Sequence, residues 1–115
     1  MTRLLYSYPI ILTAIGVGIH FFGAIGLFQI EGPRILHAIM LTVDILVVIG
    51  LSKRTRWGYW LAILLYTEQS IMEPYWGYLS FTQGSWYQLA VVCPLVIAAL
   101  AILAFNKRLF VRALG

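Results

Sequence analysis

Residues 44–76 read DILVVIGLSKRTRWGYWLAILLYTEQSIMEPYW, and this stretch decides the fold. It predicts the end of one membrane-spanning helix, a basic turn, and the whole of the next helix. The turn carries Lys53, Arg54 and Arg56, which determine how the neighbouring helices are oriented across a bilayer. The apolar runs on either side contain Asp44 and Glu68, the two residues that contact with lipid explains least well.

Composition places the whole chain in the same class. Its 115 residues form one domain, 1–115, with 62% hydrophobic residues, 10% charged residues and a mean hydropathy of +0.90. A soluble domain of this size has too small an interior to bury so many apolar side chains. Four apolar runs approach or exceed the length needed to cross about 30 Å of hydrocarbon. We therefore predict an all-α polytopic membrane protein, a four-transmembrane-helix bundle with helices at about residues 4–28, 35–51, 57–73 and 86–105.

Several function classes are excluded by the residues that are present. The net charge of +4 comes from short basic clusters beside apolar runs, which is typical of topology signals and not of nucleic-acid binding. The single cysteine, Cys93, lies inside an apolar run and excludes an internal disulfide and a CxxC motif. We read it as a small apolar filler. No P-loop, dinucleotide fingerprint or nucleophile motif occurs.

The first helix has one face that is suited to helix contact. Thr13, Gly16, His20 and Gly23 recur at spacings of three and four, so they share that face. Small residues allow the backbone of a neighbouring helix to come close. The pattern predicts that His20 points into the protein and not into lipid.

Aromatic residues dominate the segment between the third and fourth helices. Glu73 and Pro74 are expected to end the third helix, and residues 74–87, PYWGYLSFTQGSWY, contain six aromatic rings and no charge. Such a segment is expected to lie in the outer interface as a lid or partial helix. Pro94 should kink the fourth helix. Because Trp and Tyr favour the headgroup level, the predicted interface aromatics are Trp57, Trp60, Tyr75, Trp76 and Trp86.

Basic residues predict the orientation. Arg3, the turn with Lys53, Arg54 and Arg56, and the C-terminal cluster fall on one side of a four-helix count, and only Arg34 falls on the other. Positive residues stay on the cytoplasmic side. We therefore expect both termini in the cytoplasm and the aromatic segment outside, in a bacterial or archaeal plasma membrane.

Polar residues within the spans predict a pocket. An ionised carboxylate at the centre of a membrane helix costs about 2.5–3.5 kcal/mol, so Asp44 and Glu68 must be neutral, paired or in contact with water. At about 1.5 Å of rise per residue, they and both histidines lie roughly 5–15 Å below the outer ends of their helices. The central prediction is a polar pocket that opens outward, with the carboxyl groups near imidazole. Its candidate residues are His20, His37, Asp44, Glu68, Gln69 and Gln88, and Ser70 is a further possible member of the network.

Plainer roles exist for the same residues. Asp44 and Glu68 also suit interhelical contacts without ligand chemistry, His20 suits packing, and His37 suits the interface. Glu73, at the expected end of a helix, is interpreted as solvated. Two histidines and two acids from three helices lack an HxxxH or ExxH spacing, so we predict no metal ligand and no catalytic residue. Bis-histidine haem is disfavoured because His20 and His37 differ in depth by about 7 Å.

Two segments resemble the DoxX-like family of small four-helix membrane proteins. They are AIGVGIHFFGAIG at residues 14–26 and DILVVIGLSKRTR at residues 44–56, the latter an acid, an apolar run, a glycine and a basic turn. The similarity in topology covers nearly the whole chain. The chain departs from the family at Gln29, where the family often has a lysine. The resemblance implies a compact bundle linked to membrane redox partners and quinone-related chemistry, and it aligns Asp44 alone.

Three functions remain open from the sequence. The favoured hypothesis is a non-catalytic accessory subunit of a larger membrane complex, or a binder of an apolar ligand of quinone or lipid type. A small proton-coupled transporter or channel-like homo-oligomer is the first alternative. The second is a membrane enzyme acting on a lipid or isoprenoid, with Asp44, Glu68 and His20 as acid and base.

Overall fold

The computed structural model describes residues 1–27 and 33–112, and every regular element within them is helical. In chain order these are α1 (Thr2–Ile25), α2 (Arg34–Ser52), α3 (Arg56–Thr82), a π-helical turn (Gln88–Val92), α4 (Cys93–Phe105) and the short α5 (Lys107–Phe110). The predicted end of the first helix at Phe28, and most of the turn that follows, lie outside the described residues.

Three helices in the described ranges are long and apolar enough to cross a membrane: Thr2–Ile25, Arg34–Ser52 and the continuous segment Gln88–Phe105. Large apolar side chains lie exposed along all three, as expected for surfaces that contact lipid. These helices mark the chain as a membrane protein. The fourth predicted span, α3, is the longest helix but does not meet the same criterion of apolar composition.

Helix α3 is longer than the sequence predicted. It continues through Pro74 to Thr82, so residues 74–82 of the aromatic segment form its last turns and do not follow its end. A proline inside a helix removes one backbone hydrogen bond and can be tolerated where neighbouring helices support the backbone. The prediction that Glu73 and Pro74 end this helix is therefore wrong.

The region around Pro94 has an irregular backbone. The π-helical turn Gln88–Val92 precedes α4, and the backbone N–H of Cys93 donates to the carbonyl of Gln88, five residues earlier. Pro94 follows in the first turn of α4, where its missing N–H is easily tolerated. The backbone thus accommodates Pro94 with a π-turn, a recognised site of helix irregularity.

Helices α1 and α2 are antiparallel and pack through the predicted small-residue face. A Cβ atom added at Gly16 would lie 3.2 Å from an oxygen of Asp44, and one added at Gly23 would lie 2.5 Å from the His37 ring. Both glycines therefore leave space that α2 side chains occupy. The prediction that this face of α1 contacts another helix is confirmed.

Helices α2 and α3 cross closely beside the basic turn. A Cβ atom on Gly50 would overlap the Cα of Gly58, and one on Gly58 would overlap the backbone of Gly50. Thr55 caps α3, because its side chain accepts from the N–H of Gly58. The turn between the helices is consequently tight.

Tyrosine hydroxyl groups connect the helices by long-range hydrogen bonds. Each donates to a backbone carbonyl on a different helix: Tyr6 to Leu51 at 3.0 Å, Tyr8 to Leu95 at 2.9 Å, and Tyr59 to Leu103 at 2.9 Å. Helices α1 and α2, α1 and α4, and α3 and α4 are therefore joined by long-range hydrogen bonds.

The buried core occupies the half of the molecule beside the basic turn. Its members come from α2, α3, α4 and α5: Val47, Leu51, Tyr59, Ala62, Leu65, Tyr66, Val96, Ala99, Leu103 and Phe110. Arg54 of the basic turn donates to the carbonyl of Arg108, and the N–H of Arg112 donates to the carbonyl of Arg54. The C-terminal basic cluster therefore lies against the basic turn.

Candidate ligand cavity

A cavity of about 510 Å³ lies in the half of the molecule away from the basic turn. It is enclosed by α1, α2, α3, the π-helical turn and the start of α4. Six of its lining residues are the predicted pocket set: His20, His37, Asp44, Glu68, Gln69 and Gln88. The structure therefore brings together side chains from four separate segments of the chain.

Asp44 and His20 form the most buried polar pair in this cavity. Asp44 is only 2% exposed, and its Oδ2 lies 2.5 Å from Nδ1 of His20. Gly16 lies beside the carboxyl group, where a larger residue would crowd it. A buried carboxyl group is stabilised by such a pairing, either as an ion pair or as a shared-proton hydrogen bond. The predicted orientation of His20 into the protein is confirmed.

His37 is the second imidazole of the site. It is 6% exposed, and its ring centroid lies 5.4 Å from that of His20, with the planes tilted by 37°. The ring is buried against Gly23 of α1 and therefore faces protein, whereas the expected depth of His37 near the interface stays a prediction. Both histidines thus lie on one wall of the cavity.

A second polar group joins α3 to the π-helical turn. Nε2 of Gln88 donates to Oε2 of Glu73 at 2.6 Å, and the hydroxyl of Ser80 donates to Oε1 of Gln88 at 3.3 Å. Glu73 and Ser80 also line the cavity. The interpretation of Glu73 as a solvated residue at a helix end is therefore wrong, because α3 continues for nine residues beyond it.

The sequence contained a signal for this second group. Gln69, Glu73, Gly77 and Ser80 are spaced by four, four and three residues, which places them on one helix face. Gly77 lies against Leu89 of the π-helical turn, where a Cβ atom would be 2.8 Å from that side chain. The sequence did not reveal this shared face, because Pro74 lies within the segment and predicted that the helix ends there.

Glu68 differs from the other two acids. Its side chain lines the cavity, is exposed, and has no hydrogen bond or ion pair with any other described residue. Leu64 and Ile71, its neighbours on the same face of α3, are also exposed, so the expectation that Glu68 is turned toward imidazole stays a prediction.

Polar contacts close the cavity on the side of the core. The hydroxyls of Thr13 and Tyr66 lie 2.6 Å apart, and Tyr66 also donates to the carbonyl of Pro9 at 3.3 Å. Both side chains line the cavity floor and are almost fully buried. Sequence reasoning missed Tyr66, because a tyrosine in an apolar run gives no indication of its partner.

The predicted interface aromatics divide into two groups. Trp76 lines the cavity, while the others are exposed on the outside: Trp57, Trp60, Tyr75 and Trp86. Tyr87, which was not among them, also lines the cavity. The aromatic segment therefore contributes both to the cavity and to the outer surface.

The cavity reaches the side of the molecule between α1 and the π-helical turn. Ile15 and Ile19 on α1, and Tyr87 and Leu95 on the opposite side, line the cavity and are also between 37% and 58% exposed. α1 packs against α4, whereas the π-helical turn packs against α3 and α4. These exposed apolar residues form the part of the cavity lining that also belongs to the outer surface.

Within residues 1–27 and 33–112, no three His, Cys, Asp or Glu side chains are grouped so as to hold a metal ion. The arrangement offers hydrogen-bonding and acid–base groups at one end of an apolar cavity.

Comparison with known proteins gives no significant similarity: no family model, curated protein or solved structure matches this chain.

Proposed function

We propose that the protein is a non-catalytic membrane protein that binds a small amphipathic molecule, with an apolar body and a polar head, in the cavity beside Asp44. One observation carries this proposal: six polar residues from four segments line one cavity of about 510 Å³. Known small-molecule sites have volumes of about 300–1,000 Å³ and combine apolar walls with a few convergent polar groups.

The lining suits a molecule of this kind. Apolar side chains form much of the wall, including Leu12, Ile15, Leu36, Met40 and Leu65. The polar groups accept and donate hydrogen bonds, so the head of the ligand can bond with Glu68 and Gln69 beside the buried Asp44–His20 pair. The exposed apolar part of the lining allows the apolar body to enter from the bilayer without crossing water.

The proposed topology is a bundle of four spans with α3 as the fourth. At about 1.5 Å of rise per residue, its 27 residues reach roughly 40 Å, enough to cross a bilayer. Its lower hydropathy is accounted for by Glu68, Gln69 and Glu73, which line the cavity and therefore avoid lipid.

The orientation follows from charge. Seven of the eight Lys and Arg residues lie at the end with the basic turn, and Arg34 is the exception. This end and both termini are placed in the cytoplasm, so the cavity lies in the outer half of the membrane with the aromatic turns of α3. Labelling with a membrane-impermeant thiol reagent tests this, with Ser85→Cys or Lys107→Cys in a Cys93→Ala background. Labelling of residue 107 but not residue 85 in intact cells would contradict the orientation.

Quinones and phospholipids are the first ligands to examine. The resemblance to DoxX-like proteins at residues 14–26 and 44–56 adds quinone-related chemistry and a role as an accessory subunit to the proposal. Thermal unfolding of the purified protein in mild detergent, with and without each compound, is the direct test. At a ligand concentration of 100 Kd, binding to the native state alone adds about 2.7 kcal/mol of stability.

The matched variants are Asp44→Asn and Thr42→Val. Thr42 lies on the same helix but is exposed, and its hydroxyl bonds the carbonyl of Ala38. We expect Asp44→Asn to reduce the ligand-induced shift and Thr42→Val to preserve it. If no compound shifts the unfolding of the wild-type protein, and no partner co-purifies, the proposal loses its support.

A proton-coupled carrier is the second candidate, favoured by the buried Asp44–His20 pair. Imidazole and carboxyl groups in contact can exchange a proton on ligand binding. In reconstituted vesicles, a carrier predicts uptake driven by a pH gradient that Asp44→Asn abolishes. Unchanged uptake in that variant would restrict Asp44 to a structural role.

A further inference from the structure

We propose that the polar head taken by this cavity is a protonated amine or quaternary ammonium group, so that the ligand is a cationic amphiphile. This inference rests on the proposed function and adds the charge of the ligand to it.

The titratable lining is strongly unbalanced in charge. Three carboxyl residues, Asp44, Glu68 and Glu73, and two imidazoles line the cavity, and no Lys or Arg is among its described lining residues. With the carboxyl groups ionised, even full protonation of both histidines leaves the site negative. A ligand that carries one positive charge offsets this excess, whereas an anionic ligand increases it.

The three acids are not equally available to a ligand. Asp44 is paired with His20, and Glu73 accepts from Gln88. Glu68 lines the cavity, is exposed, and has no hydrogen bond or ion pair within the described residues. It is therefore the acid positioned to contact the head of the ligand.

Aromatic residues elsewhere in the cavity also suit a cation. Trp76 and Tyr87 line the same cavity as Glu68, and aromatic rings attract ammonium groups through their quadrupoles. The apolar wall near Ile15 and Leu36 accepts a hydrocarbon chain. A neutral ligand of the quinone type would use the wall but would leave the acidic excess uncompensated.

A set of ligands with the same chain tests the charge directly. The protein is placed in phosphatidylcholine nanodiscs and titrated with dodecyltrimethylammonium, dodecanol and dodecanoate, with tryptophan fluorescence as the readout because Trp76 lines the cavity. We expect the ammonium compound to bind at least tenfold more tightly than the alcohol, about 1.4 kcal/mol, and the carboxylate to bind most weakly. Empty nanodiscs correct for partition into lipid.

Two variants locate the effect. Glu68→Gln removes the charge and keeps the size of the side chain, so it should bring the affinity for the ammonium compound to that for the alcohol. Thr67→Val is the matched control, since Thr67 is the exposed neighbour on α3 outside the cavity, and it should leave both affinities unchanged. Circular dichroism confirms that each variant is folded.

The outcomes separate this inference from the proposed function. Equal or tighter binding of dodecanol or dodecanoate overturns the preference for a cation and leaves amphiphile binding intact. An ammonium preference that survives Glu68→Gln overturns the role of Glu68. If none of the three compounds binds above the empty nanodiscs, both the inference and amphiphile binding at this cavity fail.

Discussion

The two halves of this molecule are built differently from the same helices. Beside the basic turn, α2 and α3 touch through Gly50 and Gly58, and the buried core fills the space between helices. In the other half, the space is a cavity whose largely apolar wall carries a few polar and acidic groups. Tight packing and hydrogen bonds to backbone carbonyls stabilise the first half. The second half is less tightly packed, and its cavity leaves polar groups accessible to a small molecule.

The strongest test of the packed half is Gly50→Ala. The new Cβ would overlap the Cα of Gly58, and neither backbone can move without disturbing the tight turn beside it. We expect a loss of about 2–3 kcal/mol in unfolding free energy, typical of overpacking, measured by thermal or denaturant unfolding in mild detergent. Gly18→Ala is the control, because nothing lies within 4 Å of that position, and it should be neutral or stabilising by about 0.5–1 kcal/mol. Equal stability of the two variants would show that the packed half is looser than described.

The next largest effect is expected from the Asp44–His20 pair, measured with a double-mutant cycle of His20→Phe and Asp44→Leu. Each single variant leaves one buried polar group without its partner, which costs about 1–3 kcal/mol. The double variant should recover much of that loss, with a coupling energy of about 1–2 kcal/mol. Additive losses would mean that the 2.5 Å contact contributes nothing to stability.

The boundary between the halves is tested by Tyr66→Phe. This change removes the contacts of the hydroxyl with Thr13 and Pro9 at the cavity floor. It should lower the free energy of unfolding by about 1 kcal/mol, the usual net value of a hydrogen bond. Tyr78→Phe is the matched control, since Tyr78 is exposed, and it should unfold like the wild type. A larger loss of unfolding free energy for Tyr78→Phe than for Tyr66→Phe would contradict the stabilising role assigned to the Tyr66 hydroxyl.

The smallest effect on stability is expected for Glu68→Gln. Because Glu68 has no hydrogen bond or ion pair with the described residues, its change should alter the free energy of unfolding by less than about 0.5 kcal/mol. The same variant is expected to lose the preference for a cationic ligand. A large loss of stability would indicate that Glu68 has a structural role, and the contrast between the halves would weaken.

The sequence pattern predicted those features of the site that depend on a single helix or a single residue. Spacings of three and four placed Gly16, His20 and Gly23 on one face of α1. The free-energy cost of a carboxylate inside a membrane predicted that Asp44 has a partner. These rules act within one helix or on one residue, so a sequence is enough to apply them.

The parts that were missed depend on tertiary context. Pro74 ends many helices, but here neighbouring helices support the backbone and α3 continues to Thr82, which moves Glu73 from a predicted helix end to a cavity wall. The contact of Gly50 with Gly58 depends on how two helices cross. No local pattern encodes that crossing.

The uneven placement of charge has an electrical consequence. Seven of the eight cationic residues lie at one end, whereas Asp44, Glu68 and Glu73 line the cavity in the other half, so positive and negative charge are separated along the molecule. A membrane potential that is negative inside attracts the cationic end by about 2.3 kcal/mol per elementary charge for each 100 mV. In the proposed orientation, an energised membrane would therefore resist inversion of the inserted protein, in addition to the cost of moving its arginines and lysines through hydrocarbon.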